Sequence, residues 1–197
     1  MTSPLARAEL PVDTVALARF LIGKVVVRET PEGVVSGAIV ETEAYVVGDA
    51  AGHAFRGATP RTRSLFLEPG HAYVYLNYGT SWMLNVSSEA AGTGAGVLIR
   101  ALQPLEGIAV MQRNRGTGRL RDLARGPGRL AQALGIQAWA DGLDLCRKGP
   151  LWLAHGDREA GEIGQSLRIG ISKEADRVLR FYRRDSPFVS GPRALNT

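Results

Sequence analysis

Cysteine, histidine and lysine are all scarce in this chain of 197 residues, and each scarcity excludes something. The lone Cys146 rules out an internal disulfide. His53, His71 and His155 are too scattered for zinc-ligand spacing, so neither a metal nor another cofactor is expected. No apolar run approaches the length of a membrane span, and the opening MTSPLARAEL lacks the apolar core of a signal peptide. A cytoplasmic protein with no membrane association is therefore expected. Lysine is confined to Lys24, Lys148 and Lys173, so arginine supplies most of the 24 basic residues and of the net charge of +5. Arginine suits forked contacts to phosphate, and it follows equally from a GC-rich genome.

What is present fits one domain. The hydrophobic fraction of 45% is ordinary for a globular chain, and the length allows one substantial core. Asp13 is placed to cap a helix from Thr14 to Leu21 that stops before Gly23. Strands are expected over Lys24–Glu29 and Val34–Tyr45 around a turn at Pro31-Glu32-Gly33. A polar loop, VVGDAAGHAFRGA, leads to a helix start at Thr59-Pro60. Further strands are expected over Val97–Leu102, around Leu151-Trp152-Leu153, over Leu167–Ile171 and over Leu179–Tyr182. Helices are expected from Pro104 towards Arg113 and over Leu130–Leu134, with Gly135 as a stop. Six arginines and one acid between Arg113 and Arg129 read as a solvated loop. The pattern predicts an α+β domain on a curved, largely antiparallel sheet with flanking helices.

The stretch YVYLNYGTSWMLN, Tyr73–Asn85, reads as a β-hairpin. Its alternation puts Tyr73, Tyr75 and Asn77 on one face and Val74 and Leu76 on the other. Tyr78 falls at the tip, either as a wedge for a stack of bases or folded back on its own strands. In the strand AIVETEAY the same period aligns Ile39, Glu41, Glu43 and Tyr45, which makes either an acid/base site or a solvent-facing acidic edge. Arg100 ends the apolar run VLIR and needs an anion, with Glu41 or Glu43 as the candidates. Asn85, between apolar neighbours, must brace a turn or read a ligand edge. Arg61 and Arg63 at a helix start suit phosphate or are solvated. His53, in a loop rich in Ala and Gly, is an ordinary surface or capping histidine or a catalyst. Glu41, Glu43, Asp49 and His53 could instead be metal ligands of a nuclease.

These pieces together resemble the alkyladenine (methylpurine, or 3-methyladenine) DNA glycosylases. The similarity is carried by ETEAY at Glu41–Tyr45, by His53 with Arg56-Gly57, and by TPR at Thr59–Arg61. It continues through YVYLNYG at Tyr73–Gly79, Leu84-Asn85, VLIRALQPLEG at Val97–Gly107, RGPGRLAQALGI at Arg125–Ile136 and RFYRRDSPFVS at Arg180–Ser190. The resemblance implies a single domain related to the C-terminal domain of methionyl-tRNA formyltransferase, with a protruding β-hairpin. It implies a monomer that removes damaged purines from duplex DNA at the nucleoid. Carried over, Glu43 activates water, with Arg100 and the carbonyl of Ile169 as further water ligands. Tyr45, His53, Tyr75, Asn85 and Leu98 bind the base; Tyr78, Gly79, Arg61 and Arg63 contact DNA. No lysine falls in the matched motifs, which implies a monofunctional enzyme. The Glu43–His53 loop is one residue shorter than in animal members, and Thr62 stands where Asn is common. A non-catalytic nucleic-acid-binding domain is the alternative on the same fold.

Overall fold

Strand β2 (Gly33–Tyr45) is the spine of a sheet in the computed structural model, which describes residues 3–156 and 161–196. Along one edge it pairs with β5 (Gly96–Glu106). Along the other edge it pairs first with β1 (Val25–Thr30) and then, over Glu41–Glu43, with β8 (Arg180–Arg183). The sheet therefore forks at the acidic end of β2. Strands β3 (Ala72–Asn77) and β4 (Ser81–Ser87) extend the β5 side, β6 (Leu151–Ala154) flanks β1, and β7 (Ile163–Ser166) pairs with β8. Every pairing is antiparallel, and with three helices packed against the curled sheet the chain forms an α+β domain.

Helix α1 (Thr14–Phe20) starts where Asp13 accepts a hydrogen bond from the Ala16 N–H at 2.7 Å, and it buries Leu17 and Ala18. Helix α2 (Ile108–Arg115) buries Met111. Helix α3 (Pro127–Leu134) buries Leu130, Ala131, Ala133 and Leu134, and ends at Gly135 in the left-handed region, φ 63°. These faces meet Val35, Ile39, Ala44, Val97 and Ile99 in one main core. Among the described residues, no helix is long and apolar enough to cross a membrane.

Five expectations are corrected. Pro104-Leu105-Glu106 does not open a helix; β5 continues through Glu106, and α2 begins only after Gly107, φ 68°. Pairing with β2 overrides the local helix signal at that proline. Thr59-Pro60 opens no regular helix, only a turn into a 3₁₀ segment over Arg63–Phe66. Leu167–Ile171 is not a strand; the strand is β7, just before it. The Arg113–Arg129 stretch is not merely solvated. Arg121 and Arg125 donate to the carbonyls of Pro187 and Val189 at 2.8 and 2.7 Å, and so brace the segment after β8.

The fifth correction sets up the site. Alternation predicts Ile39 on the face of Glu41, but Ile39 joins the main core with Val35 and Ala44. The pairing runs Ile39 to Leu102, Glu41 to Ala101 and Thr42 to Ile99. One residue is thus extra in β2, at Val40, and the next extra residue lies in β5, at Arg100. The first bulge reverses the parity of β2, turning Glu41, Glu43 and Tyr45 away from the core that Ile39 enters.

Candidate active site

The cross-strand register lines up Tyr73, Asn85, Leu98 and Glu43 in a single row from β3 to β2. At ordinary strand spacing that row is roughly 14 Å long. Its first three members, with Tyr45, His53, Tyr75, Arg100 and Ile169, line a cleft of about 840 Å³. That volume suits a flat ring system. Glu43, fully buried, ends the row just behind that wall, bonded to Tyr45, Arg100 and Ile169.

Glu41 and Glu43 are both fully buried, so the solvent-facing acidic edge is ruled out. They differ in how full they are. Glu41 accepts from Arg100 Nε at 3.1 Å, Arg180 Nε at 2.7 Å, the Ser190 N–H at 2.7 Å and the Ser190 hydroxyl at 3.0 Å. A carboxylate offers about four acceptor positions, and four donors match that number on Glu41, three converging on Oε1 and one on Oε2. Glu43 accepts from the Ile169 N–H at 2.7 Å, the Tyr45 hydroxyl at 3.0 Å and Arg100 Nη1 at 3.1 Å. Among the described residues, that leaves it about one open position. Burial works against the Arg100 charge, but Glu43 and Glu41 outweigh it and raise its pKa.

Tyr45 is held from both ends. Its hydroxyl reaches Glu43, and its ring lies 4.7 Å from the buried guanidinium of Arg168. Arg168 is ion-paired with Asp49 and donates to the Ala44 carbonyl at 3.0 Å. Burial, then the Glu43 charge, pushes the Tyr45 phenol well above its ordinary range, so it stays a donor. The sequence reading gave Arg168 no role and Asp49 only that of a possible metal ligand. The signal for Arg168 was its place beside Ile169, since the same short segment supplies both the stacked cation and the N–H on Glu43.

Across the cleft, His53 Nδ1 shares a 2.9 Å hydrogen bond with the Tyr73 hydroxyl, and its ring meets Tyr75 edge-on at 4.4 Å. Tyr73 and Tyr75 stack at 5.4 Å. Tyr73 also went unassigned, although period-2 alternation had put it beside Tyr75. Burial, then Arg61, lowers the His53 pKa, while burial pushes the Tyr73 phenol up to about 12. Asn85 donates to the Tyr73 carbonyl at 3.1 Å, bracing β3 on β4, and also lines the cleft.

At the mouth, β3 and β4 are joined by Tyr78-Gly79-Thr80. Tyr78 is 92% exposed, which rules out its folding back. Both Tyr78 and Gly79 are left-handed, φ 47° and 70°, as a type I′ turn requires. Arg61 lines the cleft with its guanidinium 5.8 Å from the Tyr75 ring. Arg63 is exposed and outside the cleft wall, and a short 3₁₀ segment offers no helix terminus to phosphate. The four supposed metal ligands do not form a set: Asp49 is committed to Arg168, and Glu41 to two arginines and Ser190.

Residues 8–187 match the family model for methylpurine-DNA glycosylase. The match defines the class: this is a hydrolase of N-glycosyl bonds. A protein of Mesorhizobium japonicum is 74% identical over 192 residues, covering 98% of this chain and 92% of its own. One of Paraburkholderia phytofirmans is 54% identical over 192 residues, covering 98% and 90%. One of Methanoculleus marisnigri is 44% identical over 194 residues, covering 96% and 99%. Each carries the name "Putative 3-methyladenine DNA glycosylase". The chain belongs to the methylpurine-DNA glycosylase family.

Proposed function

We propose that this protein is a monomeric, monofunctional DNA glycosylase that draws an alkylated or deaminated purine nucleotide out of duplex DNA and hydrolyses its N-glycosidic bond. The observation that carries the reading is the open acceptor position of Glu43, whose three donors, Tyr45, Arg100 and Ile169, all line the aromatic cleft. A water there gives its proton to Glu43 and its oxygen to the sugar C1′. The C1′–N9 bond breaks, and its electron pair leaves with the purine. Arg100 and the Ile169 carbonyl orient the water, and only positioning and proton transfer are asked of the protein.

Tyr45 and Tyr75 stack on the purine, His53 bonds its edge, and Asn85 and Leu98 fit against its exocyclic groups. Tyr78, supported by Gly79, fills the gap left in the duplex, while Arg61 and Arg63 contact phosphates. Extrusion costs a few kcal/mol, least for a damaged pair. Stacking returns about 1–3 kcal/mol per base, and a cationic alkylated base gains more against aromatic faces. Of the three lysines, Lys173 reaches the exposed rim of the cleft.

The test is base release from duplexes carrying one alkylated purine or hypoxanthine, in excess EDTA. Free base should appear and the strand should break only after alkali. Binding without release would favour a non-catalytic binding domain, loss of release in EDTA a metal enzyme, and a break before alkali a lysine-dependent lyase.

A further inference from the structure

Beneath the cleft lies a second ionic layer that the hydrolysis does not use directly. Arg180 is fully buried, and all five of its donors are engaged. Nε meets Glu41 at 2.7 Å, and Nη1 meets the Ser166 hydroxyl and the Leu195 carbonyl at 2.7 and 2.9 Å. Nη2 meets the Ser190 carbonyl at 3.1 Å and the Asn196 side-chain oxygen at 2.6 Å. Arg180 and Glu41 already neutralise each other. Arg100 in turn balances Glu43, so the further bond from Arg100 Nε to Glu41 is not needed for charge balance and calls for another explanation.

A guanidinium beside a lone carboxylate prefers two parallel hydrogen bonds to it. Arg100 instead divides itself, Nε to Glu41 and Nη1 to Glu43. The division is built in twice. Offset bulges at Val40 and Arg100 aim the side chain between the two acids, and Arg180 with Ser190 fixes Glu41 from behind. Resting on the function proposed above, we propose that Glu41 is a positioning residue. By holding one edge of Arg100, it keeps that guanidinium from closing a two-bond pair on Glu43, and so keeps the water's acceptor position free. Residues Ser190, Leu195 and Asn196 anchor the far end of this relay.

The experiment compares wild type, Glu43→Gln, Glu41→Gln and Ser190→Ala in single-turnover base release with enzyme in excess. Competent enzyme is counted in each by titration with a duplex carrying a reduced abasic analogue. A purely structural role lowers the competent fraction and leaves the rate constant per competent molecule intact. A positioning role does the reverse. Glu41→Gln should lower that rate constant by about 100-fold, the loss expected of a misplaced catalytic group, with analogue affinity kept. Ser190→Ala, which retains the backbone bond to Glu41, should lower it severalfold, and it decides the question if Glu41→Gln does not fold. Wild-type rate constants in Ser190→Ala, and in Glu41→Gln where it folds, beside a slow Glu43→Gln, would overturn the inference alone. A Glu43→Gln enzyme as fast as wild type would overturn the functional reading, and the inference with it.

Discussion

Glu41 and Glu43 stand two residues apart, equally buried, and only their donors tell them apart. Sequence alternation placed both on one face with Tyr45, and the need of Arg100 for an anion pointed to the pair. Alternation could not rank them, because the extra donors on Glu41 come from Arg180 and Ser190, 139 and 149 positions further on. The pairing of Asp49 with Arg168 was hidden by a similar separation. His53 offers a prediction at this scale. Burial and Arg61 lower its pKa, so it is neutral at pH 7 and becomes charged only below the usual histidine value of about 6.5. Because the folded state resists that proton, the stability present above pH ~6.5 is lost as pH falls towards the folded-state pKa. The charge would also oppose a cationic base. Release of 7-methylguanine should fall over that window more steeply than release of neutral hypoxanthine, and His53→Gln should remove the difference. Parallel pH profiles for the two bases in wild type would contradict this role of His53.

At the scale of elements, β2 and the β3–β4 pair hold the site. Their existence and faces were legible from period-2 patterning, and Tyr78 was legible at its turn. What patterning could not see was an inserted residue: the Val40 bulge sends Ile39 into the core while Glu41 faces the other way. Nor could it see that pairing with β2 holds Pro104 in a strand. The tip carries two costs at one residue, an exposed ring and a left-handed backbone, φ 47°. For a non-glycine residue that conformation is unfavourable by about 1–2 kcal/mol, so a use on the partner is implied. Tyr78→Gly should leave thermal stability unchanged or raise it by up to about 1 kcal/mol, since glycine accepts that φ but has more unfolded freedom to lose. The same variant should slow base release from duplex much more than from single strands. Equal losses on the two substrates would remove the wedge.

For the whole molecule, a forked sheet places one open carboxylate behind the wall of the cleft and one exposed ring at its mouth, with arginine between them. The net charge of +5 predicts salt-sensitive affinity for DNA. Arg61→Gln should reduce the slope of log affinity against log salt by about 1, the amount expected for one phosphate contact. An unchanged slope would place Arg61 against the tyrosines alone. The whole account rests on the open position of Glu43, and one measurement addresses it most directly: single-turnover base release by Glu43→Gln, beside its affinity for the same damaged duplex. The amide should bind within a few-fold of wild type while release drops by about 10²–10⁴, the usual share of general-base catalysis. Release at the wild-type rate, with binding intact, would contradict it.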